Sequence, residues 1–416
     1  MITIIQYELK KMLIQPLSLM LILILLAVNG IVLLFNSEGS IVSRQDIEMQ
    51  RAEQSQYAGA INENWTTSIT EKLKSLKENP DNLISKDEKI KVQQGYLQRG
   101  YTQEYVDKMD NTNFLKPEIL NSLSYNILLD AKYSSEFYDY AQQFSDMQGE
   151  LYRREGDGKK GEALASKAEA MYGYLAQDYI AHYGYNLGWL KLSFMQSLMP
   201  FIVGLFLIVT ISTIFSKEYS QKTDSLLLST KYGKSRLIYA KLGASFILAI
   251  GFWITIQGMN LLVTAGLFGL QGAETYVQDW LFNNSPFAIP QLTNYIAVRI
   301  VSLIGVIFLT SIIILISVKS KSSFLTTVIS TILLLFPVVI SIPNVGGIVG
   351  RFISEAMLFM PVRLLIATDY FTFFRGYYIV GKVVLMQWVV PMVAILLSIL
   401  VVSIAFKTFK RHQVEN

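Results

Sequence analysis

The residues that most often carry chemistry are scarce in this 416-residue chain: there is no cysteine, and the histidines are two, His182 and His412. A disulfide framework and a thiolate metal site are therefore excluded. His182, in "DYIAHYGYN", reads as a solvated or capped residue rather than a ligand. No H-E-x-x-H, no S-x-x-K and no pair of carboxylates inside an apolar run occurs, so no catalytic and no metal site is expected. A phosphate loop of the form G-x-x-x-x-G-K-[ST] is missing too; the nearest string, Gly156 to Gly161 in "EGDGKKGEA", lacks the Lys-[Ser/Thr] that follows it. Two features with chemical content remain. One is the stretch "FSKEYSQKTDSLLLSTKYGKSRLIYAKL", Phe215 to Leu242, which carries Lys217, Lys222, Lys231, Lys234, Arg236 and Lys241 between two apolar neighbours. The other is the amide pair Gln257 and Asn260, near the middle of an apolar run. In lipid such a pair either hydrogen-bonds one helix to another or lines a path for substrate.

The elements that must hold these residues are apolar helices. The mean hydropathy is +0.37, with 52% hydrophobic and 16% charged residues, against roughly 25% charged in a soluble domain. Runs of about 20 apolar residues, enough for some 30 Å of hydrocarbon, occur at Ile14–Phe35, Phe194–Phe215, Leu242–Leu270, Tyr295–Val318, Phe324–Ile342 and Val383–Phe406. The fold class expected is an all-α membrane protein with six transmembrane helices and a helical extracytoplasmic domain. Arg299 is the one formal charge within the six runs, near an end where it would snorkel. The opening "MITIIQYELKK" precedes a run too long for a signal peptide and without a small-x-small cleavage site, so residues 1–35 read as a surface helix followed by an uncleaved first span.

Charge sets the expected orientation. Residues 1–13, the 216–241 connector, the Lys319/Lys321 turn and the tail from Lys407 hold thirteen Lys or Arg against four acids, whereas residues 36–193 hold 18 basic and 24 acidic. The positive-inside rule places the first set, and both termini, in the cytoplasm of a multi-pass chain in a cell membrane, with a bacterial plasma membrane the setting expected. Residues 36–193 then form an outer domain of three to five helices. The stretch from Arg44 has helix-forming composition until Asn79-Pro80 closes it; a later stretch carries Ile119, Leu123, Ile127 and Ala131 at 3/4 spacing, and a glycine-rich turn lies at 155–162. Residues 194–416 form the rest of the membrane region. Within them 343–382 contains "FISEAMLFMPVRLLI", apolar but too short to cross, which reads as a re-entrant or interfacial segment on the outer side.

The connector reads as a helix from Glu218 to Ser229, a turn at Gly233 and a new helix capped by Ser235. On physics alone it either attracts anionic lipid, at about 1 kcal/mol per Lys or Arg, or docks a partner. Its sequence resembles the segment after the second span in permease subunits of ABC-2 type transporters. The matching residues are Glu218, Thr223 with Leu227 and Leu228, Ser235 with Arg236, and Lys241 at the start of the third helix. The large insert between the first two spans is found only in some members of that family. The resemblance implies that Glu218, Tyr219, Thr223, Leu226, Leu227, Leu228, Arg236 and Lys241 dock a cytoplasmic ATPase subunit. That subunit, and not this chain, would bind ATP and magnesium. It also implies a second permease copy or a paralogue to complete the path, and export of a peptide, lipid, drug or ion, with no nucleic acid involved. The alternative is a non-transporting sensor or anchor whose outer domain binds a ligand or partner.

Overall fold

The computed structural model describes residues 1–35, 43–221, 223, 236–278, 282–339 and 347–411. The chain is mostly helical, and five helices are long and apolar enough to cross a membrane. It opens with α1, Ile2–Leu13, and α2, Pro16–Leu34. Gln15 is extended and Pro16 takes the first helical position, so the chain turns between the two without losing a backbone donor the helix needs. Ile5, Leu9, Met12 and Leu13 of α1 pack on the main core. α2 is mostly exposed; Ser18, Leu25, Asn29 and Leu33 make the narrow stripe that it buries.

The insert contains α3 Arg44–Ser55, α4 Glu63–Glu78, α5 Lys86–Gln98, α6 Gln103–Asp107, α7 Pro117–Leu120, α8 Leu123–Ser135, α9 Phe137–Glu155 and α10 Gly158–Gln177. Six of these have twelve or more residues, exceeding the three to five helices expected. The helix-forming stretch that starts at Arg44 is two helices. It breaks at β1, Gly59–Ala60, which pairs antiparallel with β2, His182–Tyr183, and Asn62 then caps α4 by accepting from the Trp65 amide at 2.9 Å. α4 does end before Asn79-Pro80. The glycine-rich turn separates α9 from α10, which pack side by side along their lengths. Gly156 lies against the backbone of Gly161 so closely that a methyl on either would collide with main chain. Arg153 reaches across this hairpin to Glu169 at 2.6 Å and Glu162 at 3.1 Å.

Beyond the insert come α11 Leu187–Ser220, α12 Arg236–Leu267 and α13 Gln291–Lys319, with α18 Met386–Arg411 closing the chain. α11 loosens into a π turn at Pro200–Gly204, where proline supplies no amide to the ladder. Between α13 and α18 lie α14 Ser323–Val339, α15 Gly347–Leu358, α16 Pro361–Ile366 and α17 Asp369–Thr372, then the antiparallel hairpin of β3 Gly376–Ile379 and β4 Lys382–Leu385. α14 is the fifth apolar run. Its 17 residues rise roughly 25 Å, short of a full hydrocarbon core, and residues 340–342 of that run lie outside the described residues. The "FISEAMLFMPVRLLI" stretch divides at Phe359–Met360, ahead of Pro361. Its second half packs inside the bundle, with Val362, Leu364 and Leu365 fully buried.

The main core joins α1, α2, α11, α12, α13, α14, α16 and α18. The insert has its own core around Ile69, Leu128, Ala168 and Leu175, yet it is not tied to the rest only through α2 and α11 as the linear order suggests. Phe374 and Tyr276 complete its apolar cluster. Tyr152 donates to the Phe374 carbonyl at 3.1 Å, Tyr172 to the Asn284 carbonyl at 2.7 Å, and Tyr276 to the Ser134 hydroxyl at 2.9 Å.

Candidate functional site

At one end of the bundle α1, the last turn of α11 and the second turn of α12 meet through four charged side chains. α1 presents Glu8 and Lys11 one turn apart, α11 contributes Glu218 and α12 contributes Lys241. The Lys241 ammonium is fully buried. It donates to Glu218 Oε1 at 2.7 Å, to the Ile214 carbonyl at 2.9 Å and to Glu8 Oε2 at 3.3 Å, which uses all three of its protons. Glu218 Oε1 also accepts from Lys11 at 2.8 Å. Two cations thus balance two carboxylates in a site nearly closed to water. Burial pulls the Lys11 ammonium down, but the hydrogen bond and charge of Glu218 outweigh it and hold the group above its ordinary value. The network contains one hydrogen-bonded carboxylate oxygen shared by two ammonium groups, an arrangement whose attraction offsets the desolvation of all four groups only while each partner is present.

The connector residues can now be placed. Glu218 and Lys241 face each other inside the chain instead of presenting a docking surface, and Glu218 belongs to the last turns of α11 rather than to a new helix. Tyr219 is half-buried against the main core. Thr223 donates its backbone amide to the Glu218 carbonyl at 3.0 Å and so caps the end of α11. Arg236 opens α12 with an exposed side chain. Leu226, Leu227 and Leu228, like Lys222, Lys231 and Lys234, lie outside the described residues. Glu8 and Lys11 escaped the sequence reading as site residues; the signal was available in an acid and a base at i, i+3 on the apolar side of a short surface helix.

A second polar assembly occupies the middle of the bundle. Gln257 donates to Gln196 Oε1 at 2.9 Å, and Gln196 donates to the Leu365 carbonyl at 2.6 Å. Ser302 donates to the same carbonyl at 3.0 Å and receives the Trp253 indole proton at 3.2 Å. α16 is short and the chain leaves it through Ala367 at φ 60°, so its last carbonyls need partners from other helices. Asn260 shares a helical face with Gln257 but pairs elsewhere: Asn29 of α2 donates to Asn260 Oδ1 at 2.6 Å. Interhelical bonding therefore occupies both predicted amides. It does not exhaust them, because Asn29 Oδ1, Gln257 Oε1, Asn260 Nδ2 and Thr264 Oγ1 are buried without a hydrogen-bond partner among the described residues. Gln196, Ser302 and Asn29 were not anticipated, since a single amide or hydroxyl in an apolar run has no period to betray its partner.

Arg299 does not snorkel. It is buried, donates to the Leu192 carbonyl at 2.8 Å and lies 3.9 Å over the Tyr295 ring. Among the described residues no group of three or more His, Cys, Asp or Glu side chains is placed to hold a metal. No family model matches this chain, and neither a curated protein nor a solved structure matches it.

Proposed function

We propose that this chain is the permease subunit of an ATP-driven exporter, with α14 as a sixth membrane helix, the α1 end in the cytoplasm and the insert outside. The observation that carries the reading is the Glu8–Lys11–Glu218–Lys241 network, because it fastens both roots of the 222–235 connector to α1. A partner that moves the connector then displaces α1, α11 and α12 together rather than bending one helix end. The basic connector and its ABC-2-like residues supply the docking element, here centred on Leu226, Leu227 and Leu228, with ATP and magnesium held by the ATPase subunit. A second copy or a paralogue completes the path. In this reading the amide atoms of Asn29, Gln257 and Asn260 that have no hydrogen-bond partner among the described residues supply polar contacts for the substrate.

The test is purification of the tagged full-length chain from its own membranes in mild detergent. Vanadate-sensitive ATP hydrolysis, and a polypeptide with a G-x-x-x-x-G-K-[ST] loop, are expected to accompany the wild type and to be lost from a variant with Leu226, Leu227 and Leu228 changed to Asp. Both chains should insert equally well. A chain that purifies without ATPase activity, or a variant that keeps it in full, would favour the sensor or anchor reading instead.

A further inference from the structure

A cavity of about 400 Å³ lies where the insert meets the loop between α12 and α13. Its insert wall follows one face across the α8–α9 junction, with Asp130, Tyr133, Phe137 and Tyr140 at helical spacing. Tyr172 of α10 and Tyr276 of the loop close the other sides. Four of the rings are held in place: Phe137 packs on Tyr276 with centroids 5.1 Å apart, and Phe144 stacks on Tyr172 at 5.8 Å. The Tyr172 hydroxyl is committed to the Asn284 carbonyl. The size is that of a small-molecule site.

Three independent features decide the ligand class. Six aromatic side chains contribute to the walls, and their π faces attract cations. The lining contains the carboxylate of Asp130 and, among the described residues, no Lys, Arg or His. Gln278, also in the wall, donates through Nε2 to the Ser285 carbonyl at 3.0 Å and the Phe287 carbonyl at 2.8 Å. Its Oε1 is buried with no donor among the described residues, and a buried amide oxygen calls for an N–H or O–H partner. Rings, a carboxylate and an unmatched acceptor together fit an ammonium that carries N–H protons and a bulky aromatic body.

We propose that this cavity binds an aromatic organic ammonium ion. A ligand there touches both the insert and the α12–α13 loop, so binding would fasten the one to the other. The proposal does not depend on the transport reading, since it concerns binding to this chain alone.

The experiment uses the full chain in lipid nanodiscs with 3,3-diphenylpropylammonium as probe and 3,3-diphenylpropionate as its anionic counterpart, read by saturation-transfer NMR against empty nanodiscs. Saturable binding of the ammonium is expected, with the carboxylate at least tenfold weaker. Asp130→Asn, which keeps an acceptor for the Tyr183 hydroxyl that now bonds Asp130 at 2.8 Å, should weaken the ammonium about tenfold, or about 1.4 kcal/mol. Tyr140→Leu, at an exposed ring on the rim, should weaken it severalfold. Gel filtration establishes that each variant is folded. Equal binding of the two probes, no saturable signal from the ammonium, or an unchanged affinity in folded Asp130→Asn would each overturn the assignment.

Discussion

Lys241 has three protons and three acceptors, and Glu218 shares one oxygen between two ammonium groups. Replacing Lys241 by Met leaves two buried carboxylates facing Lys11 alone. Loss of one member of a buried ion network costs about 3–5 kcal/mol, whereas removing opposite charges together is often near neutral. Lys241→Met should therefore lower the thermal midpoint of the detergent-solubilised chain sharply, and Glu218→Gln combined with it should recover much of the loss. A double variant no more stable than the single one would show that the groups do not act as a unit. Glu218 and Lys241 stood out in the sequence for their charge at the edges of apolar runs. Their partner was not legible, because Glu8 is more than two hundred residues from Glu218 and no local pattern links them.

At the scale of elements, α16 shows what a helix needs in order to lie inside a bundle without crossing it. Its backbone rests on Gly305 of α13, where an added Cβ would lie 2.8 Å from the Leu364 carbonyl carbon and the Leu365 amide nitrogen. Only a residue without a side chain allows that approach. Gly305→Ala should push α16 outward and loosen the hydrogen bonds that Gln196 and Ser302 make to Leu365, at about 1–3 kcal/mol. Gly258→Ala on α12 is the matched control. No atom of the described residues lies within 4 Å of its added methyl, so the gain in helix propensity of about 0.5–1 kcal/mol should stabilise the chain. Thermal unfolding of the two variants side by side reads both signs. That a short apolar run near residue 360 cannot span a membrane was clear from its length; which helix it lies against was not, because one glycine among 26 carries no mark of the neighbour it admits.

For the whole molecule, the distribution of Lys and Arg predicts sidedness. Single cysteines at Ser68 and Ser166 in this cysteine-free chain should react with a membrane-impermeant thiol reagent in intact cells, and one at Ser229 should react only after permeabilisation. Labelling of Ser229 from outside would reverse the orientation and remove the connector from any cytoplasmic ATPase. Composition, apolar run length and helix stop signals determined by themselves that the chain is built of long apolar helices with a polar helical insert, because chain length against bilayer thickness and backbone capping are local physics. Tertiary structure alone decided the rest. It brought α1 onto the ends of α11 and α12 through balanced buried charges, completed the insert core with Phe374 and Tyr276, and buried Arg299 beside a carbonyl and a ring. Each of these depends on which distant groups desolvate together, and a burial cost shared among residues far apart in sequence leaves no periodic trace in it.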